Sequence, residues 1–305
     1  MLIGQKRKIT MNKEEQQYLD LLKDVLENGE DRPDRTATGT RSIFGSQLRY
    51  SLQDNTLPLF TSRRMFFRGI VEETLQFLRG DCDTTKLEQK NVKIWSGNTS
   101  REFLDSRNLQ HLPIGNLGKG YPFQYRNFGG AESPTDYLQS DKRTGYDQIK
   151  NVLHLLKTDP YNRRMLVSAW NPKQNDEAAL PSCHFSFLFY VSNKKELSCQ
   201  AFIRSSDLAL GYGFNLAYYA LITHLFAKAS NMVAKEVIIT TGDSHIYNNL
   251  IDMIKEQITR EPYAFPKLYI KKEIKSIQDM EQMIFEDFEL IGYNHHPKLA
   301  GTMAV

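Results

Sequence analysis

The sequence predicts an α+β protein with a large mixed, mainly antiparallel sheet covered by helices. Three observations carry this reading. Apolar residues recur at helical spacing in some stretches and at alternate positions in others. The two kinds of stretch do not alternate with the strand–helix rhythm of a doubly wound sheet. A chain of 305 residues, 40% hydrophobic and 25% charged, can also bury a large core.

The elements follow in order. Residues 13–28, KEEQQYLDLLKDVLEN, carry Tyr18, Leu19, Leu21, Leu22, Val25 and Leu26 at helical spacing, and Gly29 ends the run. DRPDRTATGTRSIFGSQLRYSL reads as a polar loop entering an alternating strand. Residues 65–79 form a second helix stopped by Gly80, and YDQIKNVLHLLKTDP a third, stopped by Pro160. RRMLVSAW is a short strand. FSFLFYVSNKKELSCQAFIRSSD reads as two strands around a turn at Asn193–Lys194–Lys195. NLAYYALITHLFAKAS is apolar nearly all round, which predicts a buried central helix. KEVIITTGDSHIY is a strand with a polar tip, NNLIDMIKEQIT an amphipathic helix, and KLYIKKEI the returning tail.

The formal net charge of +3 argues against bulk nucleic-acid binding, so any anionic ligand must be met by a few placed arginines. No apolar run suits a signal peptide or a membrane span, which predicts a reducing, cytoplasmic setting. Without repeats or linkers, residues 1–12 read as a disordered start and 13–305 as one catalytic domain.

The cysteines are Cys82, Cys183 and Cys199, an odd set with no disulfide or zinc spacing. A free cysteine is ordinarily a small buried hydrophobe, and Cys82 and Cys199 read that way. Cys183 differs. In LPSCHFSF it follows Pro181 and Ser182, precedes His184, and enters a strand where a turn can expose a nucleophile. Arg204, Ser205, Ser206 and Asp207 form a second polar cluster, followed by a glycine-rich turn and Asn215. Arginine beside hydroxyls suits a phosphate. Arg35 stands among small hydroxyl residues, and Arg163 and Arg164 are adjacent. Alone, each has an ordinary reading: Asn215 an N-cap, Trp95 core, Glu73 surface, single arginines solvated charges, and His295–His296 a loop rather than a metal site.

Together these stretches resemble the thymidylate synthase family from about Glu14 to Val305. The resemblance rests on DRTATGTRSIFG, RGIVEETLQFLRGD, VKIWSGNTSREFLD, RRMLVSAWNP, LPSCHFSFLFYV, ELSCQAFIRSSDLALGYGFN, GDSHIYNN, REPYAFPKL and the terminal MAV. It implies two subunits packed sheet against sheet. It implies deoxyuridine monophosphate (dUMP) as substrate and 5,10-methylenetetrahydrofolate as one-carbon donor, with no metal, membrane or obligatory nucleic acid. Cys183 would attack C6 of the uracil, making C5 a nucleophile for the one-carbon unit; hydride from the folate would then yield thymidylate and dihydrofolate.

The same resemblance assigns roles. Arg35, Arg204 and Ser205 would hold the phosphate, with Arg163 and Arg164 reaching it from the partner subunit and Ser206 among the substrate-binding residues. These arginines would also lower the Cys183 thiol's pKa. Asn215 would pair with the uracil edge; His184, His245 and Tyr247 complete the nucleotide side. Glu73, Tyr121 and Asp207 would serve proton transfer and positioning. Ile94, Trp95, Asn98, Asp207, Leu210, Gly211 and Phe214 would face the folate, and Val305 would close over the site.

Departures from the family pattern cluster around the site: Gln76, Ser96, Lys119, Gly120, Pro122, Tyr125, Leu188, Ile203 and Tyr212–Gly213. They leave the nucleotide-facing residues intact and are expected to loosen their support and the folate side. Two alternatives therefore stand beside synthase chemistry. One is a hydroxymethylase of the same family, which adds water and leaves tetrahydrofolate. The other is a nucleotide- or RNA-binding protein without turnover.

Overall fold

The structure, a computed structural model, describes residues 12–139 and 143–302. Helix α1 (Lys13–Asn28) is capped by Asn12, whose Oδ1 accepts from the Glu14 and Glu15 amides at 3.2 Å. The cap brings Asn12 into the folded chain, one residue inside the stretch read as disordered; residues 1–11 lie outside the described residues. Strands β1 (Glu30–Arg32) and β2 (Thr40–Ser51) flank the polar loop that holds Arg35. Helix α2 (Phe67–Arg79) ends at Gly80, whose φ of 80° suits a residue without a Cβ.

Short helices α3 (Thr85–Glu88), α4 (Arg101–Ser106) and α5 (Tyr121–Asn127) follow in a region where periodicity predicts none. Each is too short for the 3.6-residue pattern to emerge. Next come α6 (Gln148–Thr158), β3 (Leu166–Ser168), β4 (His184–Val191) and β5 (Glu196–Asp207). The chain continues through α7 (Tyr212–Ala229), β6 (Val233–Tyr247), α8 (Ile251–Gln257), β7 (Lys267–Ile270), α9 (Ile277–Glu281) and β8 (Phe288–Ile291).

The main sheet runs β1-β2-β6-β5-β4-β3 and is antiparallel except for β5–β6. That parallel pair needs a crossover, and α7 supplies it. Nearly every side chain of α7 is buried, as its all-round apolarity predicts. Gly213 permits the approach: a Cβ there would lie 2.8 Å from the Phe60 ring. A separate two-stranded sheet, β7–β8, was not foreseen, because KLYI and FELI are too short to pair by pattern alone.

Alternate residues of β4 turn Phe187, Phe189 and Val191 into the core. The opposite face carries Leu188 half-buried and Leu166 and Tyr190 exposed, the last at 65%. No described helix is long and apolar enough to cross a membrane.

Candidate active site

Four segments at the strand ends converge at one end of the main sheet, and helix α4 completes the wall. The four are the loop before β2, the bend before β4, the end of β5 and the end of β6. The β5–β6 register sets Ser205 beside Asp243 and Asp207 beside His245. The β2–β6 register sets Thr40 beside Tyr247. These strand ends wall a cavity of about 540 Å³, to which Arg35, Cys183, Arg204, Ser205, Asp207, His245 and Tyr247 all contribute. Strand alternation turns Ser206 away: it is 1% exposed, and its hydroxyl has no hydrogen-bond partner. The substrate-binding role expected of Ser206 has no support in this placement.

Cys183 is fixed on both sides of its peptide. Its N–H donates to Tyr121 Oη at 2.7 Å, and its carbonyl accepts from the Arg204 N–H at 2.9 Å. Its Sγ lies 3.8 Å from Arg204 Nη2. Arg204 is itself held, Nε to the Ser182 carbonyl at 3.0 Å and Nη2 to the Pro181 carbonyl at 2.9 Å, with Trp170 beneath at 5.3 Å. Burial raises the Cys183 thiol's pKa, and Arg204 and Arg35 pull it back only in part. The expected net lowering by the arginines is therefore not seen in this chain: desolvation of the thiolate is the larger effect.

Behind Cys183 stands an aromatic layer. Tyr121 stacks on His184 at 4.0 Å and on Phe77 at 5.4 Å, with Trp95 at 6.2 Å. His184 Nδ1 meets Tyr219 Oη at 2.7 Å, and burial lowers its pKa to about 3, so the ring is neutral. Trp95 Nε1 donates to Glu73 Oε1 at 2.7 Å. Burial raises the Glu73 carboxyl to about 7, with the indole bond opposing the shift. A carboxyl poised near neutrality can both take and return a proton.

Asp207 accepts from the Ala209 and Leu210 amides at 2.9 and 3.2 Å, which turns the chain into α7; burial raises its pKa. The N-cap of α7 is Gly211, so Asn215 lies within the first turn and is not a cap. The residue is half-buried, its backbone N–H donates to the Gly211 carbonyl at 3.0 Å, and its side-chain amide makes no hydrogen bond among the described residues. Ile94, Leu210 and Phe214 are half-buried, while Asn98 is buried. None of these residues expected to face the folate, nor Glu73, Tyr121, His184 or Asn215, lines the cavity itself. Arg163 and Arg164 are exposed just before the edge strand β3 and are not brought to this chain's cavity. Val305 lies outside the described residues.

Sequence reasoning missed Arg32, Phe103, Arg107 and Asp243, all on the cavity wall. Arg32 pairs with Asp243 at 2.6 Å, and Asp243 accepts the His245 ring at 2.9 Å, orienting it. Arg35 lies over Phe103 at 5.9 Å. Nothing local to SREFLDSRN signals contact with a loop some 70 residues earlier. Arg63 was also missed: it is 6% exposed, with Nε and Nη2 unpartnered.

Several of the departures have partners of their own. Buried Gln76 donates to the Asp81 and Asp83 carbonyls at 3.2 and 3.0 Å. Ser96 donates to Glu88, and Lys119 pairs with Glu177 at 2.8 Å. Gly120 and Pro122 start α5, where proline's missing N–H costs nothing. Leu188 sits in regular strand register, and Ile203 pairs with His184 where the β4–β5 register shifts. The expected loosening is thus not seen at Gln76 or Ser96. Tyr125 is the exception: it is buried, and its hydroxyl has no hydrogen-bond partner. Cys82 and Cys199 are buried and free, with burial raising Cys199 to about 12. His295 and His296 bond separate backbone carbonyls.

A family model for thymidylate synthase matches residues 16–305. Thymidylate synthase of Saccharomyces cerevisiae is 49% identical, over 96% of this chain and 98% of the yeast protein. Thymidylate synthase of Agaricus bisporus is 45% identical, over 96% and 99%. The bifunctional dihydrofolate reductase-thymidylate synthase of Leishmania major is 45% identical over 97% of this chain and 56% of that protein. With the family model matching nearly the whole chain and relatives at this identity covered almost end to end, the chain belongs to the thymidylate synthase family.

Proposed function

We propose that the chain is a thymidylate synthase, converting dUMP and 5,10-methylenetetrahydrofolate into thymidylate and dihydrofolate. The observation that carries this is the pairing of a nucleophile and a proton carrier around one aromatic layer. Tyr121 bonds the Cys183 amide, and Trp95, beside Tyr121, bonds the near-neutral Glu73.

In this reading Arg35, Arg204 and Ser205 receive the nucleotide phosphate, and His245 and Tyr247 the sugar. A phosphate brings negative charge to the arginines, so thiolate formation at Cys183 needs more than these two cations. Arg163 and Arg164 of the partner subunit supply the remainder. They carry no carboxylate partner within 4.0 Å among the described residues, and the half-exposed face of the sheet supports a sheet-against-sheet homodimer. The Cys183 thiolate adds to C6 of uracil, with its S–C bond formed as the ring's double-bond electrons move toward O4. Glu73, near neutrality, is suited to relay protons to and from that side of the ring. The free amide of Asn215 can donate to O4 and accept from N3–H. Tyr121 stands ready to serve the C5 proton.

Trp95, Ile94, Leu210 and Phe214 are half-buried apolar side chains, the surface that a flat pteridine requires. When bound, the folate supplies the one-carbon unit and the hydride. We read the protein as cytoplasmic, in keeping with its free cysteines. The test is to incubate the protein with both substrates and read nucleotide mass and dihydrofolate absorbance together. Thymidylate with stoichiometric dihydrofolate is expected. A product carrying an extra oxygen, without dihydrofolate, would overturn the synthase reading in favour of the hydroxymethylase; dUMP that binds unchanged would favour a binding protein.

A further inference from the structure

Arg107 follows α4 and lines the cavity with Phe103 and Ser106. Its Nε and Nη2 are occluded from solvent and make no hydrogen bond. The nearest carboxylate, Asp176, is fully exposed and stands 4.0 Å from Nη2, a pair that solvent screens. Occluded charged donors without acceptors are unfavourable unless something else supplies the acceptors.

The acids of the cavity wall are already engaged. Asp34 accepts from Thr36 and from the Gly39 amide. Asp243 holds Arg32 and His245, and Asp207 takes the Ala209 and Leu210 amides. No wall carboxylate is left for Arg107. Arg35 and Arg204 line the same cavity as Arg107. Phe103, one turn earlier, carries Arg35. Asp176 belongs to the segment that continues to Pro181, whose carbonyl holds Arg204.

We propose that Arg107 is a further anion-binding residue of this cavity, engaging the phosphate of the bound nucleotide together with Arg35 and Arg204. The inference rests on the nucleotide reading of the site given above. The guanidinium fork suits phosphate oxygens, and the arriving anion supplies the acceptors that the protein lacks.

Calorimetric titration of dUMP, and competition binding of deoxyuridine, into the wild type, Arg107→Ala and Arg107→Lys tests this. A charge-assisted contact corresponds to about a tenfold to hundredfold loss of dUMP affinity in Arg107→Ala. Deoxyuridine, lacking the phosphate, should bind all three proteins equally, and Arg107→Lys should recover part of the dUMP affinity. Without ligand, Arg107→Ala should melt no lower than wild type, because it removes unpartnered nitrogens. Unchanged dUMP affinity, or an equal loss for deoxyuridine, would overturn the proposal. So would a lowered melting temperature with dUMP affinity kept, which marks a structural arginine. A wild type that binds no dUMP at all would instead overturn the nucleotide reading itself.

Discussion

Glu73→Gln separates the burial of this carboxyl from its chemistry. In the folded chain burial raises the carboxyl from 4.5 to about 7. A raised carboxyl pKa favours the protonated form in the native state. The stability it allows is complete below pH 4.5 and is lost as pH rises through 7. The gap corresponds to about 3 kcal/mol in total, of which about 2.5 kcal/mol falls between pH 5 and pH 8. The nearby Tyr121, Tyr125 and Tyr218 are held neutral by burial and His184 is uncharged, so no close neighbour titrates in that window. Glutamine keeps an acceptor for Trp95 Nε1 and cannot ionise. Urea denaturation of both proteins at pH 5 and pH 8 is the assay. Glu73→Gln should gain about 2.5 kcal/mol on wild type over that interval, while losing on the order of a hundredfold or more in turnover. Identical pH dependence for the two proteins would refute the argument that burial sets this pKa. Undiminished turnover would remove Glu73 from proton transfer.

Cys183→Ser should abolish turnover while dUMP still binds, and a 5-fluoro analogue of dUMP with the folate should leave a covalent adduct on Cys183; peptide mass spectrometry finding it on Cys82 or Cys199 would reassign the nucleophile. Mixing Cys183→Ser with Arg164→Glu subunits should restore about a quarter of wild-type activity, since half the dimers are mixed and each has one complete site; no recovery after verified exchange would mean that arginines are not shared. Tyr125→Phe removes a buried hydroxyl that has no partner, so chemical denaturation should show stability equal to wild type or up to about 1 kcal/mol higher; a clear loss of stability would show that the hydroxyl has a partner after all.

The sequence by itself determined the long elements and named several of the residues that the fold brings to one cavity. Periodicity needs several turns or alternations to rise above chance, and α1, α2, α7, β5 and β6 have them. Local stop signals act within a few residues, so Gly29, Gly80 and Pro160 could be read directly. The chemistry-bearing residues were legible because Cys183, Arg204 and His245 each stand in a distinctive local string. Tertiary structure alone decided what those residues feel. Whether Glu73 titrates near 4.5 or near 7, and whether arginines or burial govern the Cys183 thiol, depends on desolvation by segments far away in the chain. The same holds for Arg107, ordinary in SREFLDSRN until the fold sets it on the cavity wall beside Phe103. It also holds for Ser206, which shares its string with Ser205 but not its face of the strand. Strings record neighbours along the chain; charge, burial and access are set by neighbours in space.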